Sequence, residues 1–214
     1  MRHILISLAF ITMIFLCLFH TRVKPITSTF PIDAERIIHV HDCDQDDATL
    51  TAYEKQDNKW VQVFRTDAKV GYNGTTEHKS KVEGDGKTPT GTFKMFRAFG
   101  LAPEPQTSLE YTQLDEQFLW IDDPSSRYYN QFVTYRILDK DWSSAEHLAL
   151  ETIAYKYAIV IEYNTNPIVP GAGSAIFLHI TDDNHPTNGR VSVSEPSMLW
   201  LLQFIKPNDL IIIE

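Results

Sequence analysis

The 214-residue chain contains only two cysteines, Cys17 and Cys43, which excludes a disulfide framework and a cysteine-based zinc finger. Positive charge is also scarce. Three of the 19 basic residues lie before residue 26, whereas all 28 acidic residues follow that point. The body of the chain is therefore strongly acidic, which argues against bulk binding of nucleic acid or of anionic membranes. At 43% apolar and 22% charged residues, the chain is neither disordered nor fibrous.

The N-terminus carries a long apolar run. Residues 4–19 are mostly apolar and follow the basic Arg2, as in the charged start and apolar stretch of a secretory signal. The run is shorter than the ~20 residues that comfortably span a bilayer, and it lacks an Ala-x-Ala cleavage site. We expect residues 1–25 to be a signal peptide or an N-terminal membrane anchor, with residues 26–35 as a linker. A buried N-terminal helix and lipidation at Cys17 are the alternatives.

We interpret residues 36–214 as one domain dominated by short strands. Period-two alternation predicts two half-buried strands joined by a turn at Asp57-Asn58, and two continuously apolar segments predict central strands. The strand candidates are Arg36–His41, Thr49–Glu54, Trp60–Arg65, Thr92–Arg97, Gln117–Ile121, Tyr157–Tyr163, Ala175–Ile180 and Asp209–Ile213.

Two helices are predicted. One begins at Ser194, with Pro196 in its first turn and an apolar face after it. The other begins at Ser143, whose spacing to Glu146 is that of a capping box. Seven or eight short strands with two helices predict a mostly β domain of the α+β class.

The loop from Glu83 to Thr92 contains Gly84, Gly86 and Gly91 but does not fit a nucleotide-binding loop. A phosphate loop needs a glycine where Lys81 stands. We interpret the segment as a tight turn whose glycines supply unusual φ angles.

His39, His41 and Cys43 would share one face of a strand, and imidazole and thiolate are suitable zinc ligands. No fourth ligand follows at the usual spacing, and several aspartates crowd the same stretch. A solvated strand end is the interpretation that we adopt, and neither a metal nor another cofactor is predicted.

The segment around His179 resembles a known family. The matching motifs are Glu83 through Phe93, Asp122-Asp123-Pro124 through Tyr129-Asn130, Tyr163-Asn164, Pro170 through His179, and Thr187-x-Gly189. Five motifs in this order are similar to the catalytic domain of the L,D-transpeptidases, bacterial enzymes that cross-link peptidoglycan. The likeness runs from about Ile37 to Glu214, so residues 36–214 are expected to be the catalytic-type domain.

The resemblance implies a mixed β-sheet fold, a location in the periplasm or cell envelope, and peptidoglycan stem peptides as ligands. In that family a cysteine thiolate attacks a stem carbonyl, a histidine activates the thiol, and backbone N–H groups hold the oxyanion. Carried over, His179 is the base, Gly189 precedes the nucleophile, and Thr187 takes a hydroxyl position two residues before Gly189. Tyr129 and Asn130 would border the cleft and hydrogen-bond the peptide, or else serve only in loop packing.

Position 190 departs from the family pattern, because Arg190 stands where the family has its cysteine. A guanidinium stays protonated and has no lone pair with which to attack a carbonyl. We therefore expect an impaired catalyst. Arg190 would bind a stem carboxylate in two-pronged fashion, pair with an internal acid such as Asp182 or Asp183, or be a single-site variant of an active parent.

Two other functions remain open at this point. One is an active peptidoglycan transpeptidase or carboxypeptidase with a different nucleophile, for which Cys43 and Ser192 are the candidates; Ser194 is better explained as a helix cap. The other is a non-enzymatic surface scaffold whose pocket is unused. The sequence predicts no oligomeric state.

Overall fold

A computed structural model of the chain describes residues 30–31, 33–137, 139–181 and 183–214. The predicted signal or anchor, residues 1–25, and half of the predicted linker, residues 26–29 and 32, lie outside the described residues. Within the described part, no helix is both long enough and apolar enough to span a membrane.

The described residues form fourteen strands, one α-helix and three short 3-10 turns, so the mostly β class is confirmed. The strands are β1 (Arg36–Asp44), β2 (Asp47–Gln56), β3 (Lys59–Lys69), β4 (Thr75–Glu77), β5 (Thr88–Met95), β6 (Arg97–Gly100), β7 (Glu110–Gln113), β8 (Phe118–Trp120), β9 (Phe132–Thr134), β10 (Glu146–His147), β11 (Ala158–Val160), β12 (Phe177–Ile180), β13 (Val191–Val193) and β14 (Asp209–Ile213). The helix is α1 (Glu195–Phe204), and the 3-10 turns are His78–Ser80, Leu148–Leu150 and Ala154–Lys156.

Eleven of these strands form one main sheet in the order β4-β5-β14-β1-β2-β3-β13-β12-β11-β6-β7. Strands β10, β8 and β9 form a small second sheet in that order. The main sheet is mixed, because β14 pairs with β1 in parallel and β13 pairs with β12 in parallel, whereas β1, β2 and β3 pair antiparallel. A mixed sheet agrees with the predicted fold.

Alternation along β12 divides its side chains between two cores. Leu178 and Ile180 join the core that also contains the buried face of α1. Phe177 points to the opposite face, where it packs with Trp120 of the small sheet. Because successive side chains of a strand point to opposite faces, His179 lies on the same side as Phe177, toward the small sheet.

The predicted strands are largely confirmed, although some boundaries move. The strand predicted at Thr92–Arg97 is split at Phe96 into β5 and β6. The strand predicted from Ala175 begins only at Phe177, because Ala175 has a left-handed φ of 53° and its N–H bonds to the side chain of Asn130. Gly84, Gly86 and Gly91 all have positive φ, as predicted for a tight turn.

The predicted helix at Ser143 is wrong. The N–H and hydroxyl of Ser143 both donate to the carboxylate of Asp123, at 2.7 Å each. Glu146 belongs to β10 and pairs with Trp120 of β8. A distant carboxylate thus takes the donor that a capping box would use, and strand pairing overrides the local helix signal. The predicted helix at Ser194 is confirmed, because Ser194 caps α1.

His39, His41 and Cys43 lie on β1. The His39 and His41 rings are 4.6 Å apart, His39 pairs with Glu214, and His41 bonds to Thr51. Among the described residues, no group of three or more His, Cys, Asp or Glu side chains is arranged to hold a metal ion.

Candidate functional site

A cleft of about 390 Å³ lies between His179 on β12 and Glu146 on β10. The described residues that line it include four carboxylates, those of Glu83, Asp122, Glu146 and Glu151, and one guanidinium, that of Arg190. Three of the proposed site residues, His179, Thr187 and Arg190, line this cleft. Tyr129, Asn130 and Gly189 are buried and are not among the described residues that line it.

The backbone at Arg190 is held from two sides. Thr187 accepts a hydrogen bond from the Arg190 N–H at 2.8 Å and donates its hydroxyl to the Arg190 carbonyl at 2.7 Å. Thr88 donates a second hydroxyl to the same carbonyl at 2.7 Å. Gly189 has φ +97°, and a Cβ there would lie 2.8 Å from the carbonyl oxygen of Lys87. A glycine is therefore required where this segment meets the glycine-rich loop.

The Arg190 side chain is held by Glu146. Its Nη2 donates to Glu146 Oε2, and its Nε donates to the Ala175 carbonyl at 2.9 Å. The guanidinium also lies 5.5 Å from the ring centre of Phe177 and 5.7 Å from that of Tyr155. Only 16% of the Arg190 side chain and 17% of the Glu146 side chain are exposed.

An internal ion pair for Arg190 is one of the predicted alternatives, but the acid is Glu146. Asp182 lies outside the described residues. The other oxygen of Glu146 accepts the Tyr155 hydroxyl at 2.5 Å. Burial opposes the charge on Arg190, yet the surrounding carboxylates, Glu146 foremost, outweigh it and raise the Arg190 pKa. These hydrogen bonds and opposite charges offset the cost of removing Arg190 and Glu146 from water, as a largely buried ion pair requires.

His179 is a neutral base with an unused lone pair. Its Nδ1 lies 2.8 Å from the Ile180 carbonyl. Because a carbonyl only accepts, Nδ1 carries the proton and Nε2 is the acceptor. Nε2 has no hydrogen-bond partner among the described residues, and 8% of the residue is exposed. Burial first, and the charge of Arg190 second, lower the His179 pKa from 6.5 to about 3.

Tyr129 and Asn130 bond within the protein. The Tyr129 hydroxyl donates to Glu83 and accepts the Gly173 N–H at 3.0 Å. Burial, then the Glu83 carboxylate, raises the Tyr129 pKa. The Asn130 side-chain oxygen accepts the Ala175 N–H at 3.1 Å. These contacts hold Glu83 and Ala175 at the cleft, and a direct contact of Tyr129 or Asn130 with substrate stays a prediction.

The two alternative nucleophiles occupy different places. Cys43 lies on β1, four strands from β12 in the sheet order, which is about 19 Å at ~4.8 Å per strand. Ser192 on β13 is paired with His179 in register. Its hydroxyl is buried and has no hydrogen-bond partner within the described part of the chain. Ser192 is not among the described residues that line the cleft.

Sequence reasoning missed Glu146 and Tyr155 as site residues. Both approach the cleft through tertiary packing of the small sheet and a 3-10 turn. The capping-box spacing assigned Glu146 to a helix, and no motif marked Tyr155. A buried arginine does require a carboxylate partner, but the chain contains 28 acidic residues, so this requirement alone does not select Glu146.

The first prediction concerns the Arg190–Glu146 pair. Replacing one partner leaves the other charge poorly compensated, so R190M and E146Q should each lower the free energy of unfolding by about 2 kcal/mol or more. The double variant should be more stable than the sum of the two losses predicts. Urea unfolding of all four proteins gives the coupling, which we expect to be about 2 kcal/mol.

The matched control is the exposed pair between Arg127 and Asp139, whose side chains are 51% and 80% exposed. The same cycle there should give a coupling below about 1 kcal/mol. Equal coupling at the two pairs would contradict the structural role of Arg190.

The second prediction concerns pH. The folded state holds the His179 pKa near 3, below the unfolded value of 6.5, so the unfolded state binds the proton more readily. The contribution of neutral His179 to the free energy of unfolding is complete above pH 6.5. It is lost as the pH falls toward 3, at about 1.4 kcal/mol per pH unit. When the pH is lowered from 6.5 to 5.0, the free energy of unfolding of the native chain should therefore fall by about 2 kcal/mol more than that of H179Q.

Urea unfolding as a function of pH measures this difference. H78Q, at an exposed histidine, is the control for the loss of a histidine elsewhere. A native chain and H179Q with the same pH dependence would show that His179 titrates normally in the fold.

The comparison with family models agrees with the predicted fold. The model of the L,D-transpeptidase catalytic domain, YkuD, matches residues 36–213. No curated protein sequence matches the chain. A solved structure of Bdellovibrio bacteriovorus Bd1075 is similar at 16% identity, with a TM-score of 0.45, over 85% of this chain and 47% of that one. This chain therefore spans about half the length of that protein. Because this family model matches most of the length of the chain, the chain belongs to the L,D-transpeptidase catalytic domain family.

Proposed function

We propose that this chain is exported to the bacterial cell envelope, where it binds peptidoglycan stem peptides without cleaving them. The ligand class follows from the family, whose enzymes act on peptidoglycan. Export is supported by the apolar run at residues 4–19 behind a basic start.

The observation that carries the non-cleaving part is the ion pair of Arg190 with Glu146. The resemblance assigns the nucleophile to position 190. Acyl transfer through a covalent intermediate needs a side chain with a lone pair beside the base. Arg190 offers none, so the neutral His179 has no thiol to activate.

The geometry argues against direct binding of a stem carboxylate by Arg190. Its Nη2 and Nε already bond to Glu146 and to the Ala175 carbonyl. A ligand carboxylate that took the Nε and Nη2 edge in two-pronged fashion would have to displace Glu146 and leave that carboxylate without its cation. We assign Arg190 a structural role, as a fixed part of the cleft lining.

An active enzyme that uses Ser192 is the second candidate. The pairing of Ser192 with His179 and its unpartnered hydroxyl favour Ser192 over Cys43. A substrate carbonyl would have to reach that buried hydroxyl from a cleft that Ser192 does not line.

The third prediction separates these two candidates. Carbapenems acylate the cysteine of enzymes in this family, so the native chain should show no mass increase after incubation with a carbapenem. R190C in a C43S background should gain the mass of one carbapenem, because a thiol then stands in the cleft with His179. R190S in the same background is the matched control for the substitution itself.

Intact-mass spectrometry with peptide mapping gives the readout. A stable adduct on Ser192 of the native chain would overturn the non-cleaving proposal. If R190C folds and stays unmodified, the pocket is remodelled beyond position 190 and the assignment of that position fails.

The fourth prediction separates stem binding from an unused pocket. The native chain should sediment with isolated peptidoglycan sacculi, and an excess of soluble stem peptide should release it. N188W, which adds a large side chain at an exposed residue of the cleft lining, should reduce retention because it fills the space that the stem would enter. Retention that soluble stem peptide does not reduce would favour the scaffold alternative.

A further inference from the structure

We propose that the outer edge of β7, at one end of the main sheet, binds an extended basic segment of a partner protein. The segment adds a strand to β7 and places one apolar side chain between the main sheet and the small sheet. This site is separate from the cleft at His179, because the two share no lining residue. The inference therefore does not depend on the proposed function.

The backbone of β7 is the first argument. β7 is the last strand of the main sheet and pairs with β6 in parallel. The N–H groups of Glu110 and Leu114 donate to carbonyls at either end of β6, at 3.2 and 2.8 Å. Because backbone groups alternate in direction along a strand, the N–H and C=O groups of Tyr111 and Gln113 point away from β6. No other strand of the described residues follows on that side.

The sequence of β7 does not protect this edge in the usual ways. Edge strands are commonly protected by lysine, by proline or by a bulge. β7 reads Glu110-Tyr111-Thr112-Gln113, and its register with β6 is continuous. Tyrosine and threonine favour the extended conformation. The edge is therefore open to β-augmentation, in which main-chain hydrogen bonds hold an added peptide and pockets select its alternate side chains.

A pocket of about 160 Å³ beside this edge is the second argument. Glu110 and Thr112 line it from β7, and Trp120 and Phe132 line it from the small sheet. Side chains of an added strand that point the same way as Thr112 would face this pocket. An apolar cavity of ~150 Å³ is large enough to hold a benzene molecule. The pocket is therefore large enough for one phenylalanine side chain.

Charge around the edge selects the class of partner. Residues 101–117, which include β7, contain no Lys, Arg or His but four carboxylates: Glu104, Glu110, Asp115 and Glu116. The Arg97 guanidinium also lines the pocket, but it pairs with Glu162 at 3.1 Å. A basic segment is attracted to such an edge. A second copy of this chain, pairing through the same edge, would bring two sets of carboxylates together and be repelled.

The test titrates the full chain with the peptide acetyl-Lys-Thr-Phe-Thr-Lys-amide. As a strand, this peptide places both lysines and the phenylalanine on one face in either chain direction. Calorimetry at low salt should give a Kd below about 1 mM. Glutamate in place of both lysines should weaken binding at least about tenfold, and glycine in place of phenylalanine at least about fivefold. Amide hydrogen exchange at Tyr111 and Gln113 should slow in the complex.

Two pairs of variants locate the binding site. Q113P removes an outward N–H and should abolish binding, whereas the matched control Q113A keeps that N–H and should bind as the native chain does. E110Q should weaken binding of the lysine peptide about threefold or more. E77Q, at the exposed end of the opposite edge strand β4, should leave it unchanged.

The inference is overturned if the lysine peptide does not bind, or if the glutamate peptide binds equally well. The same effect of Q113P and Q113A, or of E110Q and E77Q, would place the peptide away from β7. If Q113P does not fold, E110Q, E77Q and the exchange rates at Tyr111 and Gln113 decide. Displacement of the lysine peptide by excess soluble stem peptide would place it in the cleft and contradict a separate site.

Discussion

The ion pair between Arg190 and Glu146 is the interaction on which the geometry and charge of the site depend. It joins the main sheet to the small sheet across the cleft, with Glu146 on β10 and Arg190 immediately before β13. The guanidinium contacts the Phe177 and Tyr155 rings, and its charge adds to burial in keeping His179 neutral. Glu146 stabilises the buried cation, and the cleft lining carries three further carboxylates, those of Glu83, Asp122 and Glu151.

This arrangement gives Arg190 a structural role between the two sheets. Tyr155 completes the bonding of Glu146, and the Ala175 carbonyl completes that of Arg190. The carbonyl is available because Ala175 adopts a left-handed conformation that Asn130 holds in place. Residues of the family motifs thus hold both the backbone and the side chain of Arg190.

The sequence predicted the parts of this site that depend on local pattern. The apolar run into His179, the glycine turns and the Ser194 cap follow from periodicity and backbone chemistry, and the family motifs placed His179, Thr187 and Arg190 together. The partner of Arg190 could not be predicted in this way. Glu146 reaches the cleft only because the Ser143 donors bond to Asp123 and β10 pairs with β8. Those are contacts between distant segments, which capping-box spacing does not encode.

A tetrapeptide stem tests the central claim most directly, because binding and cleavage are read in one sample. The purified native chain is incubated with the stem, bound peptide is quantified, and free D-alanine is followed by mass spectrometry. If the chain binds stems without cleaving them, the complex is saturable and the stem is recovered intact, with D-alanine no higher than in the protein-free control. Release of D-alanine in proportion to the amount of native chain would contradict it.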